Sequence, residues 1–155
     1  AYLTLGMLYQ ESGELGKARD TYQAAVEAHP GMWAAANNLA FLISENPRSE
    51  ADLDEALSYA NQADQINPEN PVILDTVGWI YYKKGDLGQA EQALEKALAL
   101  DPDNPVINYH MAMVLYDTGR QLEAVGKLER ALADEQGFFG REAAEEALQE
   151  MKAGS

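Results

Sequence analysis

The hexapeptide Pro68-Glu69-Asn70-Pro71-Val72-Ile73 returns 34 residues later as Pro102-Asp103-Asn104-Pro105-Val106-Ile107. The spacing holds downstream, where Gly85 pairs with Gly119, Ala90 with Ala124, Leu94 with Leu128 and Ala97 with Ala131. A fixed period of this size marks stacked helical repeats, in which each unit buries its apolar face only against its neighbours. The pattern predicts an all-α solenoid and points toward binding surfaces rather than catalysis.

Each period reads as two helices. Val77, Ile80 and Tyr81 share one face of a helix expected from about Pro71 to Lys84. Asn70-Pro71 opens it, because Asn caps free amides and proline is tolerated in the first turn. Gly85-Asp86 ends it, since glycine accepts left-handed geometry past a helix C-terminus. A second helix is expected from about Leu87 to Leu100, with Ala90, Ala93, Leu94, Ala97 and Leu98 inward and Asp101-Pro102 as its stop. A last helix is expected over about Gly140 to Lys152. Ala144, Ala147 or Leu148, and Met151 form its apolar stripe, and Glu142, Glu145, Glu146 and Glu150 its polar flank. That is the pattern of a terminal cap, with one face on the last repeat and one in water. Phe138 and Phe139 are expected to anchor its approach.

These positions resemble the tetratricopeptide repeat (TPR). One unit reads Tyr2, Leu5-Gly6, Tyr9, Gly13, Ala18, Tyr22, Ala25, Pro30; another reads Leu74, Val77-Gly78, Tyr81, Gly85, Ala90, Leu94, Ala97, Pro102. A further unit reads Asn108, Met111-Ala112, Leu115, Gly119, Ala124, Leu128, Ala131, with Gln136 where proline is expected. The remaining one keeps Leu39-Ala40, Ile43, Ala56, Ala60, Ala63 and Pro68. The resemblance implies a right-handed α-solenoid of four units, about 1–32, 33–70, 71–104 and 105–136, followed by a capping helix and tail over 137–155. Small residues at Gly6, Ala18, Gly78 and Ala90 let paired helices approach, and Tyr9, Tyr22, Tyr81 and Leu94 fill the space between them. Pro30 to Pro68 is four residues longer than the period. The excess is expected as a longer turn around Glu45-Asn46-Pro47-Arg48-Ser49-Glu50.

Charge narrows the partners. The chain has 26 acidic and 11 basic side chains, a net charge of −15. Nucleic acid needs clustered Lys and Arg, and an anionic membrane surface is disfavoured for the same reason. A neutral or basic protein partner suits the field. No apolar run is long enough to span a bilayer. The absence of cysteine removes disulfides and thiolate chemistry but does not distinguish a cytoplasmic from a periplasmic setting. Ala1 starts inside a helical pattern, so the true N-terminus is expected upstream, and the uncapped first unit should have an apolar outer edge that leaves self-association open. No catalytic, cofactor or metal motif is found. His29 and His110 are the only histidines, Gly13-Glu14-Leu15-Gly16-Lys17 lacks the spacing of a phosphate-binding loop, and Asp101, Asp103 and Asp117 do not fit a calcium loop. Asp52 and Asp54 are read as preceding a helix and offsetting its dipole.

By the TPR resemblance, exposed positions of each first helix line a concave groove. They supply Met7 from the first unit; Asn37, Asn38 and Phe41 from the second; Asp75, Trp79 and Tyr82 from the third; and Tyr109, His110, Met113 and Tyr116 from the fourth. Aromatic rings and Met supply contact area, while Asn and Asp bond a peptide backbone. The chaperone-binding class of TPR grips a C-terminal carboxylate with Lys, Arg and Asn; the matching positions here are Leu3, Met7, Asn38, Val72 and Thr76, and only Asn38 agrees. A groove without cations clamps carboxylates poorly. The leading expectation is a non-catalytic scaffold that binds a peptide or helix of a partner, the alternative a self-assembling scaffold. The run Leu74-Asp75-Thr76-Val77-Gly78-Trp79-Ile80-Tyr81-Tyr82, with Tyr109-His110-Met111-Ala112 and Phe139-Gly140-Arg141-Glu142-Ala143, also resembles bacterial TPR proteins of exopolysaccharide export and the cell envelope. That resemblance implies an envelope or export assembly.

Overall fold

The computed structural model describes residues 1–154 and folds them entirely through α-helices, with no strand among the described residues. The order is α1 (Tyr2–Glu11), α2 (Leu15–Ala28), α3 (Trp33–Glu45), α4 (Glu50–Ile66), α5 (Pro71–Lys84), α6 (Leu87–Leu100), α7 (Pro105–Asp117), α8 (Gln121–Leu132) and α9 (Arg141–Ala153). The repeated hexapeptide is a helix start. The Asn70 side chain accepts from the Val72 amide at 2.9 Å, and that of Asn104 from the amides of Val106 and Ile107 at 3.0 and 3.2 Å. Each satisfies donors that a helix N-terminus leaves free.

Pairs pack as the small-residue pattern requires. A Cβ at Gly78 would lie 2.7 Å from Leu94 Cγ and 3.2 Å from the Ala90 carbonyl, so α5 and α6 meet at a separation only glycine permits. Gly6 has the same relation to the Tyr22 ring across α1 and α2. Each pair then packs on the next, and α3 also touches α5 and α5 touches α7. The first helices of successive pairs thus approach one another and form the inner face of the stack.

The core divides in two. One cluster is built on Tyr22, Leu39, Ile43, Ile73 and Ile80 with the alanines of α2 and α4. The other is built on Leu94, Ile107, Met111, Leu115 and Leu128 and runs on to Ala144 and Met151 of α9. α5 serves both, sending Ile73, Val77 and Ile80 to the first and Leu74, Tyr81 and Tyr82 to the second. α9 covers the end of the stack as the sequence predicts, and Gln121 Nε2 donates to the Met151 carbonyl at 2.7 Å.

The extra residues of the second pair correct one expectation. The turn holds only residues 46–49, and most of the excess lengthens α4 to 17 residues, against 14 for α2 and α6. Asp52 and Asp54 therefore lie inside the helix rather than ahead of it. Helix is the better use of these residues because Ser49 caps it, and because Asp52 accepts from Arg48 Nε at 2.9 Å and from the Arg48 amide at 3.0 Å. Arg19 of α2 adds a contact to Asp52 at 3.7 Å and one to Glu55 at 2.7 Å. The Arg48 hydrogen bonds hold the Asp52 carboxyl down at about 2.

Candidate protein-binding face

Repeat register sets the inner face out in rows. Met7, Phe41, Trp79 and Met113 occupy one equivalent position; Gln10, Ser44, Tyr82 and Tyr116 occupy another, one turn on. A third row is Glu11, Glu45, Lys83 and Asp117. One helical face carries all three because the positions are three or four residues apart.

Burial splits the predicted site. Met7 and Tyr116 are exposed; Asn38, Phe41, Tyr82 and Met113 are half-buried. Asn37, Asp75, Trp79, Tyr109 and His110 are buried, which corrects the expectation that they stand open in the groove. The reason is the close approach of α3, α5 and α7. Trp79 is only 4% exposed because its indole stacks on His110 at 3.9 Å and on Tyr82 at 4.8 Å, with Tyr109 tilted against it at 5.9 Å. Phe41 stands 6.3 Å from the His110 ring. Rings from three helices thus form one continuous cluster, consistent with the offset geometry that aromatic pairs favour.

Polar groups pin this cluster. His110 Nδ1 lies 2.7 Å from Asp75 Oδ1, both groups buried. This contact fixes the orientation of the imidazole ring. Trp79 Nε1 donates to the Glu45 carboxylate. The Tyr82 hydroxyl donates to Asp117 Oδ2 at 2.8 Å, and burial together with Asp117 pushes the phenol well above its ordinary range. Lys83 Nζ sits 5.1 Å from the centre of the Trp79 ring, within cation–π range. Asn37 Oδ1 is buried with no hydrogen-bond partner, an uncommon and costly state for a polar atom.

The tail contributes a residue that sequence reasoning placed elsewhere. Phe138 packs on the second core cluster as an anchor would, but Phe139 reaches the inner face. Its ring meets Phe41 edge-on at 5.1 Å and bounds a recess with Met7, Gln10 and Glu11 of α1. Glu45, Gln10 and Glu11 were also missed. Their register was the available signal: Glu45 and Asp117 occupy the same repeat position, and each accepts from an aromatic residue of α5, Trp79 and Tyr82 respectively. Among the described residues no three His, Asp or Glu side chains group as metal ligands, and no helix is long and apolar enough to cross a membrane.

Two tetratricopeptide-repeat family models match the chain, one over residues 3–71 and one over 78–119. A TPR repeat-containing protein of Pseudomonas aeruginosa is 31% identical over 88 residues, which is 57% of this chain and 14% of that protein. The photosystem I assembly protein Ycf3 of Rippkaea orientalis is 32% identical over 93 residues, 58% of this chain and 51% of that protein. The chain therefore spans 14% of the first of these relatives and about half of the second. Among solved structures, a thermophilic TPR protein of Thermus thermophilus superposes with a TM-score of 0.79 at 24% identity, covering 94% of this chain and 78% of that one. MamA superposes at 0.64 and 16% identity, covering 98% and 81%. Helix pairs closed by small residues, repeat register running through both cores and family matches across most of the length converge: the chain belongs to the tetratricopeptide-repeat family.

Proposed function

We propose that this chain is a non-catalytic interaction scaffold whose inner face takes a peptide or helix of a neutral or basic protein partner. TPR proteins generally mediate protein–protein contacts. The observation that carries the reading is the ring cluster around Trp79, which is fixed by Asp75, Glu45 and Asp117 and flanked by the accessible side chains of Met7, Phe41, Tyr82, Met113 and Tyr116. Buried rings hold a rigid floor, while half-buried and exposed ones supply area to a ligand; such anchors dominate binding energy. The acids at Glu11, Glu45 and Asp117 favour a partner without excess negative charge. Asn38 is half-buried, and Asn37, Asp75, Trp79, Tyr109 and His110 act beneath the surface. A setting at the bacterial envelope rests on the short motifs named above alone.

The test is capture from native lysate by the parent and by a Met7→Ala/Tyr116→Ala variant, with Leu122→Ala on the exposed side of α8 as control. Both altered residues are exposed, so the fold is retained. Partners held by the parent and the control but lost by the variant support the reading; identical capture by all three refutes it.

One observation favours a second reading, self-assembly through α1. Leu8 is 56% exposed, whereas its register equivalents Leu42, Ile80 and Val114 are 3%, 0% and 0% exposed under the preceding helix pair. Tyr2 and Leu5 extend this apolar face. A second copy covering it would make mass rise with concentration, and Leu8→Glu would abolish the rise.

A further inference from the structure

The inner face opens beside α1. α3 packs on α5 and α5 on α7, but α1 makes no comparable approach to α3. The space it leaves is a recess of about 310 Å³ lined by Met7, Gln10, Glu11 and Phe139. Met7 and Phe139 form an apolar wall, and each stays about half exposed. Phe139 is set there by its edge-on contact with Phe41 at 5.1 Å. Gln10 is steadied from below, its Oε1 accepting from the Tyr22 hydroxyl at 3.2 Å. Glu11 brings the only charged group to the lining.

Glu11 holds the repeat position of Glu45, Lys83 and Asp117, and each of those three has a partner on the inner face. Trp79 Nε1 donates to Glu45, the Tyr82 hydroxyl donates to Asp117, and Lys83 lies over the Trp79 ring. The Glu11 carboxylate accepts no hydrogen bond and joins no ion pair among the described residues. Register explains the difference. The residue that stands to Glu11 as Trp79 stands to Glu45 is Phe41, and a phenyl ring has no N–H to donate. The cations next to the recess in sequence are committed elsewhere. Lys17 pairs with Glu14, and Arg141 donates to Glu145 at 3.1 Å and to the carbonyls of Asp134 and Gln136.

We infer that this recess seats an arginine side chain of the protein partner. The methylene stem lies along Met7 and Phe139, the guanidinium stacks on the Phe139 ring, and its N–H fork meets the Glu11 carboxylate. Arginine fits better than lysine because its head is weakly hydrated and planar, so it can lie on an aromatic ring while bonding a carboxylate. Charge complementarity selects this occupant. The chain carries a net charge of −15, and the one acid of its row without a partner borders the open recess. The inference rests on the inner face being the binding face, and adds which side chain of the partner that face reads.

The test uses the full chain with isotope-labelled methionine methyl groups and the capped tripeptide Ala-Arg-Ala, with Ala-citrulline-Ala as its neutral match. The Met7 methyl resonance, identified by its loss in Met7→Ala, reports on the recess directly. Ala-Arg-Ala should shift it with a Kd on the order of millimolar. The citrulline peptide should bind at least about threefold more weakly. Glu11→Gln should remove that preference and leave helicity unchanged, since the side chain is exposed. Phe139→Ala should weaken Ala-Arg-Ala by about twofold to fivefold. An unmoved Met7 resonance, equal binding of the two peptides, or an arginine preference that survives Glu11→Gln overturns the inference. Mass that rises with concentration in the parent but not in Glu11→Gln would seat a second copy there and overturn it as well. Lysate partners lost on Met7→Ala/Tyr116→Ala while the Met7 methyl ignores Ala-Arg-Ala would keep the binding face and reject only the arginine anchor.

Discussion

Gly78→Ala is the substitution on which the packing argument can be tested most sharply, because two effects oppose each other. In an open helix, alanine is favoured over glycine by about 1 kcal/mol. At Gly78 the added methyl would meet Leu94 Cγ at 2.7 Å, Leu94 Cδ2 at 3.1 Å and the Ala90 carbonyl oxygen at 3.2 Å. Leu94 is fully buried and its branch carbon cannot swing aside, while the carbonyl yields only if α6 moves away from α5. Such overpacking costs about 1–3 kcal/mol in strain, so the net change should be a loss of up to about 2 kcal/mol. Gly126 in α8 supplies the control: nothing lies within 4 Å of a Cβ built there, and Gly126→Ala should stabilise by about 0.5–1 kcal/mol. Urea unfolding followed by far-UV circular dichroism should therefore separate two chemically identical changes by about 0.5–3 kcal/mol. Gly78→Ala/Leu94→Ala should be less damaged than the sum of its parts, because the methyl then enters the space that Leu94 vacates. If Gly78→Ala is as stable as Gly126→Ala, the close approach of α5 and α6 does not constrain the fold and the reasoning fails.

Two further perturbations probe the charged contacts. The Asp52 carboxyl is held at about 2, below its ordinary value, so its pairing stabilises the fold fully above about pH 4 and is lost as pH falls through about 2. Arg48→Ala should move acid unfolding to higher pH, and an unchanged midpoint in a circular-dichroism titration would deny the pairing any role. Asp75→Ala should cost about 1–3 kcal/mol by leaving the buried His110 nitrogen without its hydrogen-bond partner, whereas Asp75→Asn, which keeps a polar group there, should cost less. Equal thermal stability of parent and Asp75→Ala would show that the pair contributes nothing.

The fold was legible because repeats state their packing several times over. Gly6, Gly78 and the alanines opposite them announce close helix pairs, and Asn70-Pro71 and Asn104-Pro105 announce helix starts that the structure realises with capping hydrogen bonds. The site was legible only as a set of positions. Periodicity assigns Trp79 and His110 to the inner face but says nothing of how near α5 comes to α7, and that distance decides whether the rings stand in solvent or stack at 3.9 Å. The partnership of Asp75 with His110, 35 residues apart, is invisible for the same reason. Phe139 was assigned to the tail by its neighbours in sequence, while the rings that receive it come from earlier repeats. The added residues near Asn46 were expected as loop because insertions usually are; Ser49 and the Arg48–Asp52 bond gave them a helical alternative.

The division of the core at α5 has a mechanical consequence. Each half of the chain is sealed by its own cluster, and a single helix belongs to both. Held by its ends and stretched, the chain is two springs in series sharing one coil. The weaker half should give way first, and its rupture strips α5 of one of its two supports. Tension would therefore be released in unequal steps, and α5, with Trp79 on it, would feel the first rupture whichever half had yielded.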